Sequence, residues 1–194
     1  MSLPEDRNES DKLGTLTRRS LIIGGTALAL TTAFIIPGQA EARVIRPSER
    51  LLSFEHMHTG EKVKVVYWKH GRYIRKSLKQ INFIMRDHRI NQVKAIDPKL
   101  LDLLWNLQRK LETRQPFQIV SGYRSKATNN MLRAHSDNVA KRSLHIQGKA
   151  IDIRIEGRDT NRIRNAAIAL RAGGVGYYPG AGFVHIDSGD VRTW

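Results

Sequence analysis

Ala150-Ile151-Asp152-Ile153-Arg154-Ile155 alternates apolar and polar side chains, and Phe183-Val184-His185-Ile186-Asp187 repeats the pattern near the end of the sequence. Successive side chains of a β-strand point to opposite faces, so each stretch predicts a half-buried strand. Ile151, Ile153 and Ile155 share one face with Asp152 and Arg154 opposite them. Val184 and Ile186 likewise share a face, with His185 and Asp187 on the other. Residues 175–178 read as a further short strand, joined to 183–187 through Pro179-Gly180-Ala181-Gly182.

Outward from these strands, residues 117–120 predict another strand, and residues 52–58 and 63–68 a hairpin about Thr59-Gly60-Glu61. Between them lie two helical patterns. Leu78, Ile81, Ile84 and Met85 fall at helical spacing over residues 77–88. Asp97-Pro98 supplies an N-cap and a first-turn proline for a second helix, whose apolar face runs from Leu100 to Leu111. A polar helix is expected over 127–137, and another over 161–172 that stops at Gly173-Gly174. The fold class that follows is α+β: a small antiparallel sheet packed with several helices.

The polar faces of the strands carry the candidate chemistry. His145 stands in Ser143-Leu144-His145-Ile146-Gln147-Gly148, just before the strand that bears Asp152. With His185 it makes two imidazoles and a carboxylate that suit Zn²⁺ and leave a fourth position for water. Spacing alone leaves a second reading, in which both histidines are structural residues bonded to carboxylates. His56 and His58 share a strand face, which reads as the polar outer face of the hairpin. His70, His88 and His135 are expected to face solvent.

Composition narrows the classes further. The 194 residues include 33 Lys+Arg, 18 Asp+Glu and no cysteine, for a net charge of +15. Disulfide frameworks, thiolate zinc sites, Fe–S clusters and cysteine nucleophiles are excluded. A hydrophobic share of 40% supports a packed core.

Residues 1–42 read differently from the rest. Thr17-Arg18-Arg19-Ser20-Leu21 precedes an uncharged run over 21–36 and a small-x-small ending at Ala42, the plan of a secretory signal. The paired arginines resemble a twin-arginine (Tat) leader, so export to the periplasm by the Tat machinery is expected. Retention as an anchor stays open, although the run is short for a span of ~20 residues. Residues 43–52 read as a connector and 53–194 as the working domain. Removing four basic and five acidic residues turns 33 and 18 into 29 and 13, a net charge of +16. An exported chain does not meet chromosomal DNA, so no nucleic-acid partner is expected. The charge points to an acidic envelope polymer.

Ser-x-His-x-x-Gly-x-Ala-x-Asp at residues 143–152 resembles the M15 zinc peptidases, the D-Ala-D-Ala metallopeptidases and their LAS relatives. Gly174-Val175-Gly176-Tyr177-Tyr178-Pro179, the His185 strand and Trp194 are similar to the murein endopeptidase K (YcbK-like) branch. That resemblance implies zinc ligands His145, Asp152 and His185. It also implies that Arg124, in Ser121-Gly122-Tyr123-Arg124, acts near the substrate carbonyl. The implied function is zinc-dependent hydrolysis of peptidoglycan cross-links containing meso-diaminopimelate; separately, the protein is expected to be a monomer. Where many M15 members place a catalytic acid, three residues before the last ligand, stands Gly182. Asp187 is the candidate base, or else an orienter of His185. A zinc-stabilised binding module without catalysis and a D-Ala carboxypeptidase are the alternatives.

Overall fold

The computed structural model describes residues 48–136 and 139–194. The leader and the first part of the connector lie outside the described residues. Among the described residues no helix is long and apolar enough to cross a membrane.

The hairpin forms as expected from strands β1 (Glu49–His56) and β2 (Lys62–Lys69), so the stretch read as a connector already enters the sheet at Glu49. A two-residue strand β3 (Arg72–Tyr73) follows and pairs with β2. Helix α1 (Arg75–Ile84) ends four residues before His88, and residues 86–88 turn away from it. Helix α2 (Pro98–Lys110) opens as the sequence predicts, with the Asp97 carboxylate accepting from the Lys99 backbone N–H at 3.0 Å. Strand β4 (Phe117–Ser121) leads into helix α3 (Lys126–Ala134), capped by Ser125. A 3₁₀ turn (Leu144–Gln147), strand β5 (Ala150–Ile155), helix α4 (Thr160–Ile168) and strands β6 (Gly174–Tyr178), β7 (Phe183–Asp187) and β8 (Arg192–Thr193) complete the chain.

Among the described residues the sheet has eight strands in the order β3-β2-β1-β4-β5-β7-β6-β8. It is α+β, yet mixed rather than wholly antiparallel, because β1 pairs with β4 and β6 with β8 in parallel. The β1–β4 pair arises because α1 and α2 cross over between β2 and β4, returning the chain in its original direction. One face buries Leu52, Phe54, Phe117, Ile119, Ile151, Ile153, Val184 and Ile186 in a single core with Leu100, Leu101, Leu104 and Leu107 of α2. Full burial of one such side chain contributes about 1.5–3 kcal/mol. The opposite face, across the pleat, presents the polar residues of β5 and β7.

Three details pin the segments that flank this polar face. The Tyr123 N–H donates to the Met85 carbonyl at 2.7 Å. Asp87 accepts from the Ser125 N–H at 2.9 Å, so the loop after α1 clamps the stretch that carries Arg124. Gly148 ends the 3₁₀ turn at φ 70°, where a side chain would also strike the Ala95 carbonyl.

Candidate metal centre

Antiparallel pairing of β5 with β7 sets Asp152 directly opposite His185. The 3₁₀ turn brings His145 to the same place from the loop before β5. The three donor atoms form a small triangle. His185 Nδ1 lies 2.9 Å from Asp152 Oδ1, His145 Nε2 lies 3.2 Å from the same oxygen, and the two ring nitrogens are 3.1 Å apart. Ligands held ~2.0–2.1 Å from a tetrahedral ion stand roughly 3.3 Å from one another, so the triangle has the dimensions of a ligand set. Among the described residues it is the one group of three His, Cys, Asp or Glu side chains that converges in this way.

The far nitrogen of each histidine is already committed. His145 Nδ1–H donates to the Gly122 carbonyl at 2.7 Å, and His185 Nε2–H donates to Asp187 Oδ2 at 3.0 Å. Both tautomers therefore turn a lone pair toward Asp152. Three acceptors meeting in a buried place require a positive charge. Burial holds the His145 pKa down despite the Asp152 charge beside it. Burial also opposes charging of His185, but its bonds to Asp152 and Asp187 outweigh that and raise its pKa. Asp152 stays ionised: burial is outweighed by the two histidines, and its pKa falls well below the ordinary carboxylate range. A proton on His185 answers the geometry in part. A divalent cation answers all three donors at once.

Arg124 reaches the same point. Its Nε donates to Ser121 Oγ at 2.8 Å, while Nη2 bonds Asp152 and lies 3.2 Å from His145 Nε2. Asp187 sits behind His185. Its carboxylate is fully buried and accepts from His185, from Arg192 at 2.8 and 3.2 Å, and from the N–H groups of Gly174 and Gly189 at 3.2 and 2.9 Å. These donors lower its pKa to about 2 in spite of its burial. Gly173-Gly174 does more than stop a helix: a Cβ on Gly174 would fall 2.4 Å from Asp187 Oδ2, so the missing side chain makes room for the carboxylate.

The triangle opens on a cleft of about 450 Å³. Tyr178, Phe183 and Trp194 form an aromatic wall, with the Trp194 ring 5.2 Å from His185 and its Nε1–H on the Tyr178 hydroxyl at 2.8 Å. Asp152 is the only acidic side chain among the described residues that line the cleft. Gly182, at φ 67°, lies in the β6–β7 turn and supplies no acid. Thus His145, Asp152, His185 and Arg124 come together, and Asp187 stands one residue behind them. The roles of Arg192, Trp194 and the Gly122 carbonyl carry no local sequence signal, because each depends on partners distant in the chain.

His56 departs from expectation. It is 1% exposed rather than on an outer face, and its ring packs against His58 and His88 at centroid distances of 5.8 and 4.9 Å. The period of two places it with Leu52 and Phe54 on the core face of β1, beside Ile119 of β4, and the loop after α1 brings the half-buried His88 against it. His58, His70 and His135 are exposed as expected.

Such a centre, a two-histidine, one-aspartate donor set with an adjacent arginine at the mouth of a cleft, fits a hydrolytic metal site of the metallopeptidase kind. A family model described as Peptidase_M15_2, peptidoglycan L,D-endopeptidase MepK, matches residues 45–194, and the chain belongs to that family. It is 47% identical over 184 residues to the peptidoglycan L,D-endopeptidase MepK of Escherichia coli K12, covering 95% of this chain and 100% of that one. The probable peptidoglycan L,D-endopeptidase MepK of Haemophilus influenzae is 42% identical over 178 residues, covering 91% and 94%. Among solved structures, the Serratia marcescens L-Ala D-Glu endopeptidase ChiX aligns with a TM-score of 0.37 and 19% identity, over 57% of this chain and 86% of that one.

Proposed function

We propose that this protein is a zinc endopeptidase that hydrolyses peptide cross-links of peptidoglycan containing meso-diaminopimelate. The observation that carries the reading is the 2.9–3.2 Å triangle of His145, Asp152 and His185 at the floor of an open cleft. These three residues would hold the ion, and zinc there would polarise the scissile carbonyl and bring the pKa of water toward ~7. Arg124, tethered by Ser121, donates to the oxygen that becomes negative as the carbonyl is attacked, a contribution of roughly 3 kcal/mol in comparable sites. Of the two roles open to Asp187, the geometry supports orienting. Its oxygens are filled by His185, Arg192 and two backbone N–H groups, and the cleft does not reach it.

Metal analysis beside a digest of purified cross-linked muropeptides tests the reading. Near-stoichiometric zinc and conversion of dimers to monomers are expected from the wild type, and neither from a folded Asp152→Ala variant. The glycine at 182, together with the lack of a second acidic side chain among the described cleft residues, favours one rival, a binding module. Zinc-loaded, folded protein that retains muropeptides without cutting them would establish that rival. Release of terminal D-Ala alone would instead indicate a carboxypeptidase.

We further propose that the leader directs the protein to the periplasm through the Tat machinery, and that the exported protein works as a monomer. Export that persists unchanged after Arg18→Lys with Arg19→Lys would overturn the Tat route.

A further inference from the structure

Three arginines line the cleft: Arg124, Arg142 and Arg192. Two are already spent on acids of the centre. Arg124 bonds Ser121 and Asp152, and Arg192 bonds Asp187 while lying 5.0 Å over the Trp194 ring. Arg142 is exposed, and no carboxylate pairs with it among the described residues. Its backbone is nonetheless anchored. The next residue, Ser143, caps the 3₁₀ turn by accepting from the His145 N–H at 3.3 Å, so Arg142 is tied to the turn that carries a metal donor.

The cleft therefore offers an uncommitted cation and an aromatic wall of Tyr178, Phe183 and Trp194. The one acidic side chain among the described residues there, Asp152, is covered by Arg124. An amino acid with an aliphatic arm ending in a free carboxylate matches both surfaces. The arm packs on rings, and the carboxylate meets a planar guanidinium that can donate two parallel hydrogen bonds.

We propose that Arg142 is the specificity residue of this site: it binds a free carboxylate on the substrate peptide, and the protein discriminates against the same peptide with that group amidated. The inference rests on the peptide-substrate reading above and narrows it to acid-bearing stem peptides. A charge-assisted hydrogen bond of this kind sets a discrimination of about tenfold to a hundredfold.

The test separates recognition from catalysis. Binding of a stem tetrapeptide containing diaminopimelate, as free acid and as carboxamide, is measured by titration calorimetry on metal-free protein, and hydrolysis of the matching cross-linked dimers on zinc-loaded protein. Wild type is expected to favour the acid by at least about tenfold in Kd and in kcat/KM. Arg142→Gln brings the acid-to-amide ratio close to one by weakening the acid alone, and Arg142→Lys restores part of it. A wild-type ratio near one overturns the proposal, as does a ratio that survives in Arg142→Gln or an equal loss on both peptides. Acid-selective binding without hydrolysis leaves Arg142 in its role and removes only the endopeptidase reading.

Discussion

Two clusters of imidazoles stand on opposite faces of the sheet, His56 beside Ile119 on the core face and His185 beside Asp152 on the other, and they differ in what faces them. His145 and His185 have ring centroids 5.0 Å apart; His56, His58 and His88 have centroids 4.7–5.8 Å apart. In the first cluster the far nitrogens donate to Gly122 and Asp187, so the near lone pairs meet Asp152. In the second, His56 Nδ1 accepts from the His58 backbone N–H at 3.2 Å, and its buried Nε2 has no hydrogen-bond partner. The nearby acids are occupied elsewhere: Glu61 pairs with Arg86, and Asp87 accepts from Ser125 and Arg89. Crowded imidazoles alone do not make a metal centre. A carboxylate inside the triangle and acceptors outside it do.

The largest expected effect breaks this contrast outright. His145→Ala should lose both bound zinc and muropeptide hydrolysis, whereas His56→Gln should keep zinc at wild-type stoichiometry. Elemental analysis of the two purified variants decides it. Loss of zinc in His56→Gln with the fold intact would show that the second cluster also serves the metal.

The second effect is thermodynamic and belongs to the imidazole-only cluster. Burial, then the charges of His88 and His58, lower the His56 pKa from 6.5 to about 4; Glu61 pulls the other way and Arg86 adds to the lowering. Above pH 6.5 the ring is neutral in both folded and unfolded chains, and its contribution to stability is fully present. As pH falls from 6.5 toward 4 the unfolded chain takes up the proton first, so stability is lost across that window, by about 3 kcal/mol. Denaturant titrations from pH 7 to pH 4 should show a much shallower acid loss in His56→Gln than in wild type. Parallel curves for the two proteins would refute the assignment.

A smaller change sharpens the metal cluster. Asp187→Asn keeps the size of the side chain but weakens its hold on His185 Nε2–H, and zinc affinity should fall about tenfold to a hundredfold. Competition with a chelator measures it. Were Asp187 the general base, the variant would lose turnover while holding zinc as tightly as before, the opposite pattern.

What could be read in the sequence divides along the same line. Alternation in residues 150–155 and 183–187 places Asp152, His185 and Asp187 on their strand faces, because the period of a strand is local. The Asp97 cap and the proline after it mark the start of α2 for the same reason. His56 was legible: the period of two puts it with Leu52 and Phe54 on the core face of β1, beside Ile119 of β4. Asp187 shows its face but not its four donors, which come from Gly174, Gly189, Arg192 and His185. The parallel β1–β4 pair depends on a crossover through two helices, so residues 52–58 alone could not announce it.

The smallest effect concerns His88, whose half-buried ring stands edge-on to His56. Its own pKa is lowered by burial first and by Arg89 and His58 next, with Asp87 opposing. At pH 7 the lowered pKa values keep His56 and His88 neutral, so His88→Asn should cost no more than the lost packing, about 0.5–1 kcal/mol. In acid the sign reverses. Removing the imidazole deletes one repelling charge and opens His56 to water, and both changes raise the folded His56 pKa toward its value in the unfolded chain. The gap that drives acid loss narrows, so the variant should lose less stability than wild type between pH 6.5 and 4. A steeper acid loss in His88→Asn would mean that His88 shields His56 from some other cation, with Arg86 and Arg89 the nearest by charge and position.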